Sequence, residues 1–312
     1  MSESMDTPEQ PTLRTRRVRR WLGYLWREWT IESWRPVASP FAKPEPLKWS
    51  DAQVTATWIG HATVLINFFG IKILTDPVLF PRVGIRLPGF TIGPKRLTAP
   101  ALQFHELPGI DLILLSHAHF DHFDLRTLHR FNKDTSVITA PNTADLLRWT
   151  RLRGITELRW GETKVLNIAS QTKGTIAISA FQVKHWGART QRDTHRGYNG
   201  YLIERNGRRI LFAGDTALTD TFAELHKYGP IDLAIMSIAA YNPWIRNHCT
   251  PEEAIEMANA AGAQFIMPVH HQTFRLSFEP LREPIERFEA VLSRTPERIA
   301  LREIGETFVL PL

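Results

Sequence analysis

Residues 114–124, LLSHAHFDHFD, restrict the fold of this chain more than any other stretch. The run Leu112, Ile113, Leu114, Leu115 suits a strand buried on both faces, and such strands belong to sheets covered on both sides. His117, His119, Asp121 and His122 follow at once. Imidazole and carboxylate are the donors that borderline divalent metals such as zinc favour, and a strand end holds this group of them close together. In extended chain His117 and His119 point the same way, and Asp121 and His122 follow where the chain turns, where they could serve a second ion. A polar loop that happens to be rich in histidine is the weaker alternative.

Four donors do not complete two metal shells, and three further candidates sit after apolar strand-like runs: His185 in FQVKHWGAR, Asp215 in ILFAGDTAL, and one histidine of PVHHQTF. Ligands placed at strand ends converge on one edge of a sheet. Each has a plainer reading alone: Asp215 as a helix cap, His185 as a packed histidine beside Trp186. His270 and His271 face opposite sides in extended chain, so one of the two would serve the site.

The chain around these residues alternates. Strands are expected at 54–58, 64–67, 71–75, 112–116, 137–139, 164–168, 175–181, 200–204, 209–212, 233–236, 265–267 and 308–310, and helices at 143–151, 219–226, 251–261 and 281–292. Thr250-Pro251-Glu252-Glu253 gives the firmest boundary, with Thr250 as cap, Pro251 in the first turn and Glu253 reaching back. The expected organisation is an arm and proline-rich connector over 1–49, then one mixed α/β domain over 50–312.

Composition narrows the chemistry. The single cysteine, Cys249, leaves no internal disulfide and no thiolate cluster, so histidine and carboxylate must carry any metal. The formal charge of +6 lies largely in residues 13–20, LRTRRVRR, and the body does not read as a nucleic-acid binder. With no apolar run long enough to span a bilayer and no secretion signal, a cytoplasmic protein is expected. Val18, Trp21, Leu22, Leu25, Trp26 and Trp29 follow one face of an amphipathic helix. The segment from Arg14 to Trp34 would either lie peripherally on an anionic membrane or pack its tryptophans on protein.

His117, His119, Asp121 and His122 match the H-x-H-x-D-H signature in full, and the chain resembles the metallo-β-lactamase superfamily. TWIGHATVLI, ILTDP, GPKR, KHWGAR, FAGDT, AAYNP, HCTPEEA and VHHQTF make it most similar to the branch of N-acyl-phosphatidylethanolamine phospholipase D and its bacterial relatives. The resemblance implies an αββα four-layer sandwich with two mixed sheets and a dinuclear zinc site at one edge, with manganese or iron as alternatives. His117, His119 and His185 would hold one ion, Asp121, His122 and His270 the other, and Asp215 would bridge them. His271 then becomes pocket wall.

Paired divalent ions acidify a shared water and stabilise charge on attacking and leaving oxygens. The expected reaction is hydrolysis of a small-molecule or lipid phosphodiester, such as an N-acyl phospholipid, by a metal-bridging hydroxide. Asp121, Asp215 and His248 are the expected catalytic residues, with His248 binding the phosphate or protonating the leaving group. A lactonase like ascorbate-6-phosphate lactonase is the alternative enzyme, and a non-catalytic metal-bound binding protein the alternative of another class. Asp76 would orient a ligand imidazole or start a turn, and His61 is read as a hydrogen-bonded structural residue. His105, His129, His195 and His226 are expected on the surface. Gly197-Tyr198-Asn199-Gly200 and His270-His271-Gln272 depart from the branch near the expected substrate pocket.

Overall fold

The computed structural model describes residues 32–168, 174–190 and 192–311. One sheet is built from β1 (Val54–Gly60), β2 (Thr63–Phe68), β3 (Ile71–Thr75), β6 (Leu112–Leu115), β7 (Ser136–Thr139), β8 (Ile155–Glu157) and β15 (Thr307–Val309), in the order β15-β1-β2-β3-β6-β7-β8. A second is built from β9 (Thr163–Ile168), β10 (Gly174–Phe181), β11 (Gly200–Arg205), β12 (Arg208–Phe212), β13 (Ile231–Ser237) and β14 (Ala263–Val269), in the order β14-β13-β12-β11-β10-β9. Both are mixed. β3, β6, β7 and β8 run parallel in the first, β12, β13 and β14 in the second, and the other neighbours pair antiparallel.

Alternation along the second sheet assigns its faces. Tyr201, Ile203, Ile210, Phe212, Leu233 and Ile235 join the first sheet in one buried core with Trp58, Leu65 and Leu114. Their neighbours Leu202, Leu211 and Ala234 pack instead with Phe222, Leu225, Ala254, Ile255, Ile285 and Phe288 from the helices over the outer face. Each leucine, isoleucine or phenylalanine among them, fully buried, contributes about 1.5–3 kcal/mol. The helical cover is unequal. Among the described residues, the cover toward the first sheet includes the single turn Leu125–Leu128 and 3-10 turns at Phe104–Glu106 and Ala144–Leu147, which bring Leu128, Phe104 and Leu147 to the core.

The capped helix forms as its sequence dictates, over Pro251–Ala260, with Glu253 N–H donating to Thr250 Oγ1 and Thr250 N–H to a Glu253 carboxylate oxygen. The last expected helix is Glu283–Val291. Two others are corrected. At 143–151 only a 3-10 turn forms, because the Thr143 and Thr150 hydroxyls donate to the carbonyls of Ala140 and Leu147 and Trp149 faces solvent. At 219–226 the chain is a 3-10 helix, Asp220–Tyr228, whose buried residues Phe222 and Leu225 are three apart, the repeat of that geometry. β8 and the exposed hairpin of β4 (Ile85–Leu87) and β5 (Phe90–Ile92) were not anticipated.

The amphipathic segment at 18–29 lies outside the described residues. The connector does not hang free: Ala38 bridges to Thr98, and Phe41 N–H donates to Ile304 O at 2.9 Å. Gly305 permits this, since a Cβ there would meet Ala42 O at 1.8 Å. Among the described residues no helix is long and apolar enough to cross a membrane.

Candidate metal centre

The strands leave one edge rich in ends. β3 and β6 run parallel, as do β12, β13 and β14, and β1 and β10 share the direction of β3 and β12 through antiparallel intermediates. Asp76, Ser116-His117, Asp215 and His270 follow the carboxyl ends of β3, β6, β12 and β14, and His61 follows β1. Gly214 lets two of these ends meet. Its φ is +61°, and a Cβ there would stand 2.7 Å from Ser116 Cβ, so a side chain at this position would push Asp215 away from His117. Strain gathers here too: His61, Asp76, Ala240, His270 and Gln272 are five of the eight non-glycine residues with positive φ among the described residues. Such backbone costs about 1–3 kcal/mol per residue and persists where the surroundings dictate it.

Two sets of donors result. In the first, His117 Nε2 lies 2.8 Å and His185 Nε2 3.3 Å from His119 Nδ1. In the second, His122 Nε2 and His270 Nε2 are 3.2 Å apart, and each is 3.6 Å from Asp121 Oδ2. Asp215 Oδ2 stands between the sets, 3.1 Å from His122 Nε2, 3.2 Å from His270 Nε2, and 4.0 Å from both His117 Nε2 and His185 Nε2. All seven residues expected as ligands are together.

The remote ring nitrogens explain why the donors face inward. His117 Nδ1 pairs with Ser116 Oγ at 2.9 Å, His185 Nδ1 with Asn247 O at 2.8 Å, and His122 Nδ1 with Asp76 Oδ2 at 2.7 Å. A ring nitrogen that donates to an oxygen leaves the lone pair of its partner nitrogen free. Asp76 also accepts from Ser116 N–H at 2.7 Å, so it orients an imidazole, the first of its two expected roles. Ser237 Oγ donates to Asp215 Oδ1 at 2.7 Å and leaves Oδ2 to the centre.

The electrostatics of the two sets differ. Burial, reinforced by the neighbouring imidazoles, pushes His117 and His185 well below the usual histidine range, and burial brings His119 to about 4, so the first set is neutral at pH 7. Burial opposes charge on His122 and His270 as well, but Asp215 and Asp121 outweigh it, raising His122 well above its usual value and His270 to about 9. Both carboxylates stay ionised, because His122 and its neighbours overcome the burial that would raise them. Three neutral imidazoles with converging lone pairs, beside two carboxylates that hold protons on two more, form a donor set suited to cations.

Three residues are more informative in place than in sequence. His61, expected to be hydrogen-bonded, has Asp121 as its partner, Nε2 to Oδ2 at 2.9 Å, and so stands within the site. His248 lines the rim, its Nδ1 3.8 Å from Asp215 Oδ2. His271 packs its ring 4.5 Å from that of Trp58 and, with His270, lines a small pocket. Tyr198 bridges to His117 and Trp186 packs on His119, so both adjoin the first set. His105, His129, His195 and His226 are exposed, as expected.

The sequence pattern of the beta-lactamase superfamily domain matches residues 72–271. N-acyl-phosphatidylethanolamine-hydrolyzing phospholipase D 1 of Caenorhabditis elegans is 33% identical over 260 residues, covering 78% of this chain and 71% of the nematode protein. The mitochondrial N-acyl-phosphatidylethanolamine-hydrolyzing phospholipase D of Saccharomyces cerevisiae is 33% identical over 270 residues, covering 83% of this chain and 56% of the yeast protein. Among solved structures, the metallo hydrolase Igni18 of Ignicoccus hospitalis superposes with a TM-score of 0.61 at 19% identity, over 83% of this chain and 99% of that one, a likeness of fold. The two-sheet architecture, the H-x-H-x-D-H turn and these relatives agree: the chain belongs to the metallo-β-lactamase superfamily, as a metal-dependent hydrolase in the branch of the N-acyl-phosphatidylethanolamine-hydrolyzing phospholipases D.

Proposed function

We propose that this chain is a dinuclear, zinc-dependent phosphodiesterase of phospholipase D type, acting on a small-molecule or lipid phosphodiester. The observation that carries the reading is Asp215 Oδ2, which lies within 4.0 Å of imidazole nitrogens from both donor sets. His117, His119 and His185 would hold one ion, Asp121, His122 and His270 the second, and Asp215 both. Ions held there supply Lewis acidity toward phosphoryl oxygens and a water acidic enough to yield hydroxide at neutral pH.

The chain's own residues do the rest. His61 fixes Asp121, and Asp76 fixes the tautomer of His122, so neither donor has to reorganise during turnover. His248 is assigned to the phosphate. Burial lowers it to about 4 despite Asp215, and a neutral imidazole at pH 7 suits a hydrogen bond to a phosphoryl oxygen better than proton delivery to the leaving group.

Metal analysis of purified, reconstituted protein tests the first half of the reading, with two ions per chain expected and fewer than one refuting it. Turnover of a bis-aryl phosphodiester against a panel of lactones tests the second half. The phosphodiester should be hydrolysed and Asp121→Ala should abolish the reaction. Preference for a lactone would reassign the chemistry, and turnover that survives Asp121→Ala would reject the site.

A further inference from the structure

Arg96 ends the GPKR stretch and takes no part in the metal centre. It is 1% exposed, and among the described residues no carboxylate pairs with it: Nε donates to Phe80 O at 3.0 Å, Nη2 donates to Val78 O, and Nη1 has no hydrogen-bond partner. Asp124, whose charge reaches Arg96, is itself paired with Arg126 at 3.1 Å. Burial lowers Arg96 to about 9, so the guanidinium is charged at pH 7. A buried cation without a counterion projects a positive potential into its surroundings, because little water is there to screen it.

Those surroundings include a cavity of about 360 Å³, within the size range of small-molecule pockets. Leu79, Phe80, Pro100 and Phe104 make its wall largely apolar, and the lining holds a second cation, Arg130, and no Asp or Glu. Arg130 is exposed, and its guanidinium lies 4.9 Å from the ring centre of Phe80 and 5.6 Å from that of Phe104. One cation is therefore buried in the wall and the other faces solvent. Two cations, no acid and an apolar wall complement an anion that carries an apolar body. At about 30 Å³ for each water-sized group, the volume takes about a dozen non-hydrogen atoms.

We infer that this cavity is a ligand site, separate from the metal centre, for a small carboxylate with an apolar body, selected by the charges of Arg96 and Arg130. None of the lining residues belongs to either donor set. The inference stands whether or not the chain hydrolyses phosphodiesters.

Calorimetric titration of octanoate, octanamide and acetate into metal-loaded wild type, Ala99→Leu, Arg130→Gln and Asp121→Ala tests it, with thermal unfolding followed on each variant. Octanoate should bind at one site per chain with Kd on the order of 0.1 mM, and octanamide and acetate about tenfold or more weakly, since one lacks the charge and the other the apolar body. Ala99→Leu narrows the cavity, keeps the Ala99 N–H bond to Ala38 O, and should weaken octanoate about tenfold or more. Arg130→Gln removes an exposed charge and should weaken it about threefold. Because Arg130 is exposed, that variant keeps the core intact and decides the role of charge even where Ala99→Leu costs stability. A carboxylate can also reach bound metal, so Asp121→Ala separates the two places: affinity within about twofold of wild type supports the cavity. Binding lost in Asp121→Ala and kept in Ala99→Leu would put octanoate on the ions and overturn the site. Equal affinity for octanamide would overturn the selection by charge. No saturable binding of octanoate below about 10 mM would overturn the inference as a whole and leave Arg96 as a pin for the Val78 and Phe80 carbonyls.

Discussion

Replacing Asp76 by asparagine tests how the protein holds its second donor set. The carboxylate is fully buried and faces donors only: Ser116 N–H at 2.7 Å, Ser116 Oγ at 2.5 Å and His122 Nδ1 at 2.7 Å. Burial pushes this carboxyl up, and the His122 and Ser116 donors pull it back. Asparagine has the same shape but one oxygen fewer. If its oxygen keeps Ser116, its NH₂ meets His122 Nδ1, which can then accept only if the ring proton moves to Nε2. Nε2 is the atom 3.1 Å from Asp215 and 3.2 Å from His270, so a proton there removes the lone pair that would bind the ion. A lost charge-assisted hydrogen bond is worth about 1.5–3 kcal/mol. At about 1.4 kcal/mol per decade this gives a loss of roughly 10- to 100-fold in affinity, in line with other outer partners of metal-bound histidines. Competition with a chromophoric chelator would measure it, and cobalt substitution would report on the first ion separately. One site should weaken by that factor while the other, held by His117, His119 and His185, changes less. Affinity for both ions within about threefold of wild type would refute the tautomer argument.

Three further outcomes are expected. His248→Ala should lower kcat/KM by about 10²-fold, as for other lost oxyanion donors, with His248→Gln intermediate; a loss that grows with leaving-group pKa would make His248 a general acid instead. Arg189 Nη1 donates to Ala118 O at 3.0 Å and Phe123 O at 2.8 Å, on either side of the ligand turn. Arg189→Leu leaves both carbonyls without that donor and should cost about 1–3 kcal/mol in urea unfolding, and wild-type stability would show that the turn holds without this clamp. In metal-free protein the folded value of His270, about 9, lies above its ordinary 6.5, so its contribution is complete below pH 6.5 and lost as pH rises through about 9. The Tm of metal-free protein should therefore fall across that window, and a flat or rising Tm would contradict the charge on His270.

What the sequence disclosed of the site depended on local pattern. His117, His119, Asp121 and His122 lie in one turn, and the other three expected ligands each end an apolar run, so residue type and position sufficed to pick out the residues that the fold gathers. His61 was read as hydrogen-bonded, but its partner escaped, because Asp121 is 60 residues away and pairing across that distance leaves no periodic trace. The available signal was the Gly60-His61 step, where two strands turn on positive φ. The fold divided similarly. Strands buried on both faces were legible in their apolar runs, whereas β4 and β5 are partly exposed and short, and carry only the Pro88-Gly89 turn as a marker. The helices that failed were those whose hydroxyl side chains or three-residue spacing compete with α geometry, a choice made by the packing around them.

The two donor sets are alike in number and unlike in how the protein prepares them. The first consists of three imidazoles held neutral by burial and by each other, two of them tied to neutral oxygens, Ser116 Oγ and Asn247 O. An ion entering there displaces no proton. The second is tied to a carboxylate at His122, and the carboxylates of Asp121 and Asp215 keep protons on His122 and His270. An ion entering there would have to expel them, so its binding would weaken as pH falls while that of an ion in the first set would not to the same degree. Asp215 couples the sets, since its Oδ2 is shared. On the two-ion reading proposed above, a cation in the first set would draw on that oxygen and so favour the deprotonated donors that a second cation would need. On that reading loading would be ordered by the charge that the chain places around otherwise similar donors.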